Sequence, residues 1–142
     1  MLYFSNLYVK VTNINLKTLI MNSKVTMVLR IILAIPLLVF GLNKFLHFIP
    51  MDAPPTGSFM DALIQTGYMM PLIAISEIIP GLLLLINKWV GLALVWLVPI
   101  SVNIIIFHMK FDMSSIAPAA LIAILNLVLI YAYWGKFKTL FN

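Results

Sequence analysis

Cysteine is absent from the 142-residue chain. That removes disulfides, thiol redox relays, cysteine-ligated iron–sulfur clusters and thiolate zinc sites together. Charge is scarce as well: 9% of residues are charged, against roughly 25% in an ordinary soluble domain, and only four of them are acids. Any metal would have to use two His and four acids, and no metal site is expected. What remains is apolar. Hydrophobic residues make up 63% of the chain, which reads as one integral membrane domain in a lipid bilayer. The net charge of +5 does not point to nucleic acid, because the nine Lys and Arg are dispersed singly between apolar runs and act as topology signals.

Hydropathy and breakers divide the chain into an N-terminal lead-in, residues 1–24, and a membrane domain, residues 25–138. The lead-in mixes Tyr3, Phe4 and Tyr8 with Lys10, Lys17 and Lys24. It reads either as an interfacial amphipathic segment or as sequence upstream of a true start at Met21. A first membrane helix is expected over Met27–Phe48, with Arg30 in its first turn, free to snorkel or to turn inward towards an acid. Pro36 should kink it, and Gly41 should admit a close neighbour. After Pro50, Pro54 and Pro55, Ser58-Phe-Met-Asp61 resembles a capping box and predicts a short amphipathic helix, about Phe59–Gln65, ending at Gly67. The apolar run 69–107 is too long for one span, so it must fold back at Asn87-Lys88 into helices Met69–Ile86 and Trp89–Met109. Ser114 or Ser115 should cap a last helix with Pro118 in its first turn, ending near Trp134.

The expected fold class is therefore all-α: a polytopic four-transmembrane-helix bundle with one short amphipathic helix in an outer loop. Seven cations, Lys10, Lys17, Lys24, Arg30, Lys88, Lys136 and Lys138, fall on one side, and Asp52, Asp61 and Asp112 on the other. Both termini should then be cytoplasmic in a cell inner membrane.

Polar residues inside such a bundle are the candidates for function. Phe40, Asn43, Lys44 and His47 recur at i, i+3, i+4 and i+7, one polar-aromatic stripe where the first helix nears an interface. His47 and His108 end their helices at similar height, Asn43 and Asn103 lie about a turn below, and Glu77 sits about 12 Å under the outer surface by helical rise. A His at a helix end is most often interfacial, Lys44 and Lys110 most often snorkel, and Asn103 and Asn126 commonly lock helix packing. Glu77 differs. A carboxyl in mid-helix costs a few kcal/mol even on the mild insertion scale, so it should be paired, protonated or facing a cavity. It should lie far from Arg30 and make no contact with it.

These same residues carry a resemblance. Arg30, Gly41-x-Asn43-Lys44-Phe45, Glu77-x-x-x-Gly81-x-x-Leu84-Leu85, and Pro99-x-x-x-Asn103 with Phe107-His108 resemble the DoxX family over about residues 27–138. Family members are small four-helix membrane proteins, and the namesake belongs to a thiosulfate:quinone oxidoreductase system. The resemblance implies a role beside quinone redox chemistry, as a small membrane subunit with redox partner proteins or a second copy of itself. A quinone head group needs donors for two carbonyls, an apolar slot and a proton route. Asn43, Lys44, His47, Asn103 and His108 would be the donors, Phe40, Phe45 and Phe107 the walls, and Glu77 the proton acceptor or counter-ion, with Glu77 and His108 as the catalytic residues. Bis-histidine haem ligation by His47 and His108 is a narrower expectation. Two other classes stand beside it: a non-catalytic assembly subunit, and a small proton-coupled carrier with Glu77 titrating in a water path.

Overall fold

The computed structural model describes residues 22–137. Helix is the only regular structure among the described residues: α1 Ser23–Leu46, α2 Phe59–Gln65, α3 Met69–Leu85, α4 Val90–Phe111, α5 Ile116–Ala132 and a final turn α6 Trp134–Phe137, with a 3₁₀ turn at Met113–Ser115 before α5. Apart from residues 22–24, the lead-in lies outside the described residues.

α1 begins four residues before its expected start, and local bonding explains why. Asn22 caps it by accepting the Lys24 N–H, and the Thr26 hydroxyl folds back onto the Asn22 and Ser23 carbonyls. Polar residues thus extend the helix beyond the apolar run, which moves Arg30 from the first turn into the third. At the other end His47 adopts a left-handed conformation (φ 52°) and its N–H bonds to the Asn43 carbonyl, stopping the helix at Leu46 rather than Phe48.

The short helix falls where the capping box placed it. The Ser58 hydroxyl accepts from Asp61 N (3.2 Å), while the Asp61 carboxylate accepts from Gly57 N (2.7 Å) rather than from Ser58, the capping-box partner. α2 meets α3 at 94° across the Gly67 turn, and Phe59 stacks on Phe111 with centroids 5.3 Å apart. The loop helix is thereby pinned to the end of α4.

The α3–α4 hairpin turns at Asn87. Asn87 takes φ +58°, its N–H reaches the Leu84 carbonyl and the Lys88 N–H the Leu83 carbonyl, the two bonds of a Schellman ending. Asparagine tolerates this conformation because its short polar side chain costs little there. α5 follows the 3₁₀ turn, but neither serine caps it. The Ser114 hydroxyl instead donates to Asp112 (2.6 Å), with Pro118 in the first turn as expected.

α1 packs on α3, α3 on α4, α4 on α5, and α5 returns to α1. Leu33, Ala34, Leu37, Leu84, Leu94, Leu97 and Leu129 fill the middle. The largest interface, α1 with antiparallel α3, is closed by two glycines. A Cβ on Gly41 would lie 2.8 Å from Ile78 Cγ1, and one on Gly81 3.0 Å from Leu38 Cγ, so neither position has room for a side chain. Large apolar residues remain exposed along α1, α3, α4 and α5, as for a protein whose solvent is lipid. α1, α4 and the 3₁₀–α5 unit are each long and apolar enough to cross a bilayer, and α2 with α3 makes a fourth candidate as a bent pair.

Candidate functional site

The fold has two chemically distinct ends. Asp52, Asp61 and Asp112 mark the acid-bearing end, where α1 and α4 finish. Lys24 and Lys88 mark the basic end, where α1 and α4 begin.

Towards the acid-bearing end, the close α1–α3 contact at Gly41 sets Glu77 against Lys44. The hypothetical Gly41 Cβ lies 3.3 Å from Glu77 Cβ, so the same absence of a side chain that joins the helices brings the two charges into range. Lys44 Nζ is 2.6 Å from Glu77 Oε2, and it also donates to the Phe40 carbonyl at 3.3 Å. The Glu77 side chain is 8% exposed and the Lys44 side chain 20%, so the acid is sealed inside while its cation reaches the rim. Of the three states expected for Glu77, the structure shows the paired one. Arg30 makes no contact with Glu77; it turns inward to neutral partners at the other end.

The remaining candidates separate. Asn43 is 4% exposed, and its amide clamps one residue: Oδ1 accepts from Ile49 N (2.6 Å) and Nδ2 donates to the Ile49 carbonyl (3.2 Å). Both of its functions are thus engaged in shaping the chain after α1. Asn103 faces outward and donates to the Pro99 carbonyl of its own helix at 2.9 Å. His47 is the exposed left-handed stop of α1. His108 bonds through Nδ1 to the Ile104 carbonyl (2.9 Å) and stands edge-on to Phe107 at 5.3 Å. Phe107 belongs to a cluster with Phe59 and Phe111 rather than to Lys44 and Glu77. Phe40 and Phe45 are exposed. Of the expected pocket, then, the structure joins Lys44, Glu77 and the Phe40 backbone, and separately pairs His108 with Phe107, which meets Phe59 of α2.

Two partnerships escaped the sequence, and a third, at Asn126, fits the helix-locking role expected of it. Arg30 Nη1 donates to Asn87 Oδ1 and lies 3.5 Å from the Tyr133 hydroxyl, tying α1 to the hairpin and to the end of α5. From the sequence Asn87 reads only as a turn residue, yet its side chain meets Arg30. Asn126 donates to Ser101 Oγ at 3.3 Å, bridging α5 and α4 within the apolar layer. The Phe59–Phe111 stack was foreshadowed only by an apolar residue beside the Ser58 cap. Among the described residues no three His, Cys, Asp or Glu side chains group as a metal centre.

The sequence model of the DoxX family matches residues 25–109, more than half of the chain, and the chain belongs to this family. The match ends before α5, short of the span 27–138 that the motifs suggest. No curated protein and no solved structure matches the chain.

Proposed function

We propose that this DoxX family protein is a small membrane subunit serving quinone-linked redox chemistry, with Lys44 and Glu77 as the charged element that meets the quinone head group. One observation carries the reading: a buried carboxylate whose cationic partner reaches the rim beside exposed Phe40 and Phe45. Lys44 has a donor to offer a quinone carbonyl, and Glu77 is its counter-ion and the acceptor for a proton released there. His108 enters as a proton acceptor or relay through Nε2, since its Nδ1–H donates to the Ile104 carbonyl. In this reading α2 and α3 together form the fourth span, and the basic end faces the cytoplasm of a cell inner membrane.

Binding of a short-chain quinone to the purified protein in detergent tests it. A charged hydrogen bond is worth roughly 1.5–3 kcal/mol, so Lys44→Met should weaken binding about tenfold or more. Quinone that binds the variant as it binds the parent, or no binding to either, would sink the reading.

A second reading has its own support. Gly41, Asn43 and Gly81, all in the family-like motifs, act in helix contact and chain direction rather than towards a ligand. That favours a non-catalytic assembly subunit, in which Lys44–Glu77 locks α1 to α3. It would retain the partner complex without quinone affinity of its own.

A further inference from the structure

At the basic end, α1, the α3–α4 hairpin and the end of α5 surround an open cavity of about 290 Å³ whose walls include Lys24, Thr26, Arg30, Asn87 and Tyr133. Arg30 is the anomaly there. It is only 6% exposed, its Nη1 meets the Asn87 amide oxygen and the Tyr133 hydroxyl, and its Nε has no partner. All four acidic side chains of the chain lie elsewhere: Asp52, Asp61 and Asp112 at the opposite end, and Glu77 bound to Lys44. A buried guanidinium is ordinarily matched by a carboxylate or another anion, because neutral oxygens compensate its lost hydration only in part. Here the cavity brings a second cation, Lys24, instead of an acid.

The chemistry that completes this cavity is an anion with several acceptor oxygens. A guanidinium fork with an unused N–H, a nearby ammonium and an amide suit a phosphate group, which Arg and Lys recognise in complementary ways. Its place also fits. Lys24 is exposed in the first turn of α1 and Lys88 in the hairpin, so the cavity opens at the depth where a membrane helix meets headgroups. Basic pockets between membrane helices are headgroup sites.

We propose that the Arg30 cavity binds the phosphate of an anionic phospholipid headgroup, which supplies the counter-charge the fold itself withholds from Arg30. Headgroup binding would staple α1, the hairpin and α5 through one ligand. The site is at the opposite end of the fold from Lys44–Glu77, and either assignment can fail alone.

The test is lipid retention by the full chain, purified from detergent and read by native mass spectrometry after incubation with phosphatidylglycerol or phosphatidylcholine. The wild type should keep phosphatidylglycerol in preference, and Arg30→Gln should lose that preference. Lys24→Gln, an exposed change that leaves the packing alone, should weaken it about fivefold, the worth of one surface cation near an anionic lipid. Inorganic phosphate and glycerol phosphate form the second arm. If they leave the retained lipid in place, the headgroup is the ligand. Displacement of the lipid by either at low concentration overturns the lipid assignment and gives the cavity to a soluble phosphate compound. Equal retention of both lipids by the wild type, or unchanged preference in folded Arg30→Gln and Lys24→Gln, overturns the proposal outright.

Discussion

Each end of this bundle sets a cation against the packed helices, Arg30 buried and Lys44 half-buried, and the two ends compensate it differently. Near the acid-bearing end, Lys44 faces a carboxylate 2.6 Å away. At the basic end, Arg30 faces an amide oxygen and a phenol. The choice of cation matches the setting. Lys44 lies on a flexible stem that can leave its charge at the rim while touching Glu77, whereas the Arg30 guanidinium spreads its charge over a plane and donates in several directions, which suits a site without an acid. The first arrangement is complete within the chain; the second is open to an anion from outside.

The sharpest way to break this comparison is to remove one cation. Lys44→Met leaves Glu77 buried and unpaired, and breaking a buried pair costs about 3 kcal/mol or more. The double variant Lys44→Met/Glu77→Leu should recover most of that loss, because no charge is then left behind. Reversible unfolding in detergent measures both. A double variant as unstable as the sum of the singles would mean that the pair carries no coupling, and the two ends would no longer differ in kind.

A smaller effect is expected from the contact that creates the pair. Gly41→Ala forces a Cβ to 2.8 Å from Ile78 Cγ1 and 3.2 Å from the Ala74 carbonyl. Ile78 can shift a little, but the backbone carbonyl cannot, so overpacking should cost about 1–3 kcal/mol. Amide exchange should quicken in α1 and α3 around residues 41 and 77 while the Asn87 hairpin keeps its protection. Loss of protection at both ends equally would show that they are one cooperative unit.

Acid should separate the ends most gently. The Ser114 hydroxyl, and after it that of Ser115, stabilises the Asp112 carboxylate and holds its pKa below the ordinary aspartate range. Between that lowered value and the ordinary value near 3.9, the unfolded chain binds more protons than the folded one. The contribution is therefore whole above pH 4–5, in the range of about the ordinary pKa and beyond, and is lost as pH falls through the folded value. Asp112 is exposed, so the change should be local: faster exchange at the 3₁₀ turn on acidification, with the acid-free Arg30 region unmoved, and no such step in Asp112→Asn. Acid-induced opening at the Arg30 end instead would contradict the absence of an acid there.

Hydropathy and turn chemistry made much of this legible in the sequence. The membrane class, the apolar helices, the Phe59–Gln65 loop helix and the turn at Asn87 follow from patterns confined to neighbouring residues, which the backbone must obey wherever the rest of the chain lies. That Glu77 must be paired, protonated or face a cavity was legible for a similar reason, since the cost of a lone carboxylate among apolar residues does not depend on which helix supplies the remedy. The close approach at Gly41 belongs to the same set. What the sequence could not decide is who meets whom. Spacing put Asn43, Lys44 and His47 on one stripe, yet Lys44 turns to Glu77, Asn43 to the backbone of Ile49, and His47 leaves the helix altogether. Asn103 shared a height with Asn43 and still faces outward, because the rotation of α4 about its own axis is set by packing against α3 and α5. Arg30 meets not an acid but Asn87 and Tyr133, residues 57 and 103 positions away. Such partnerships depend on helix rotation and register, which arise when helices distant in sequence pack together, and only the tertiary structure fixes them.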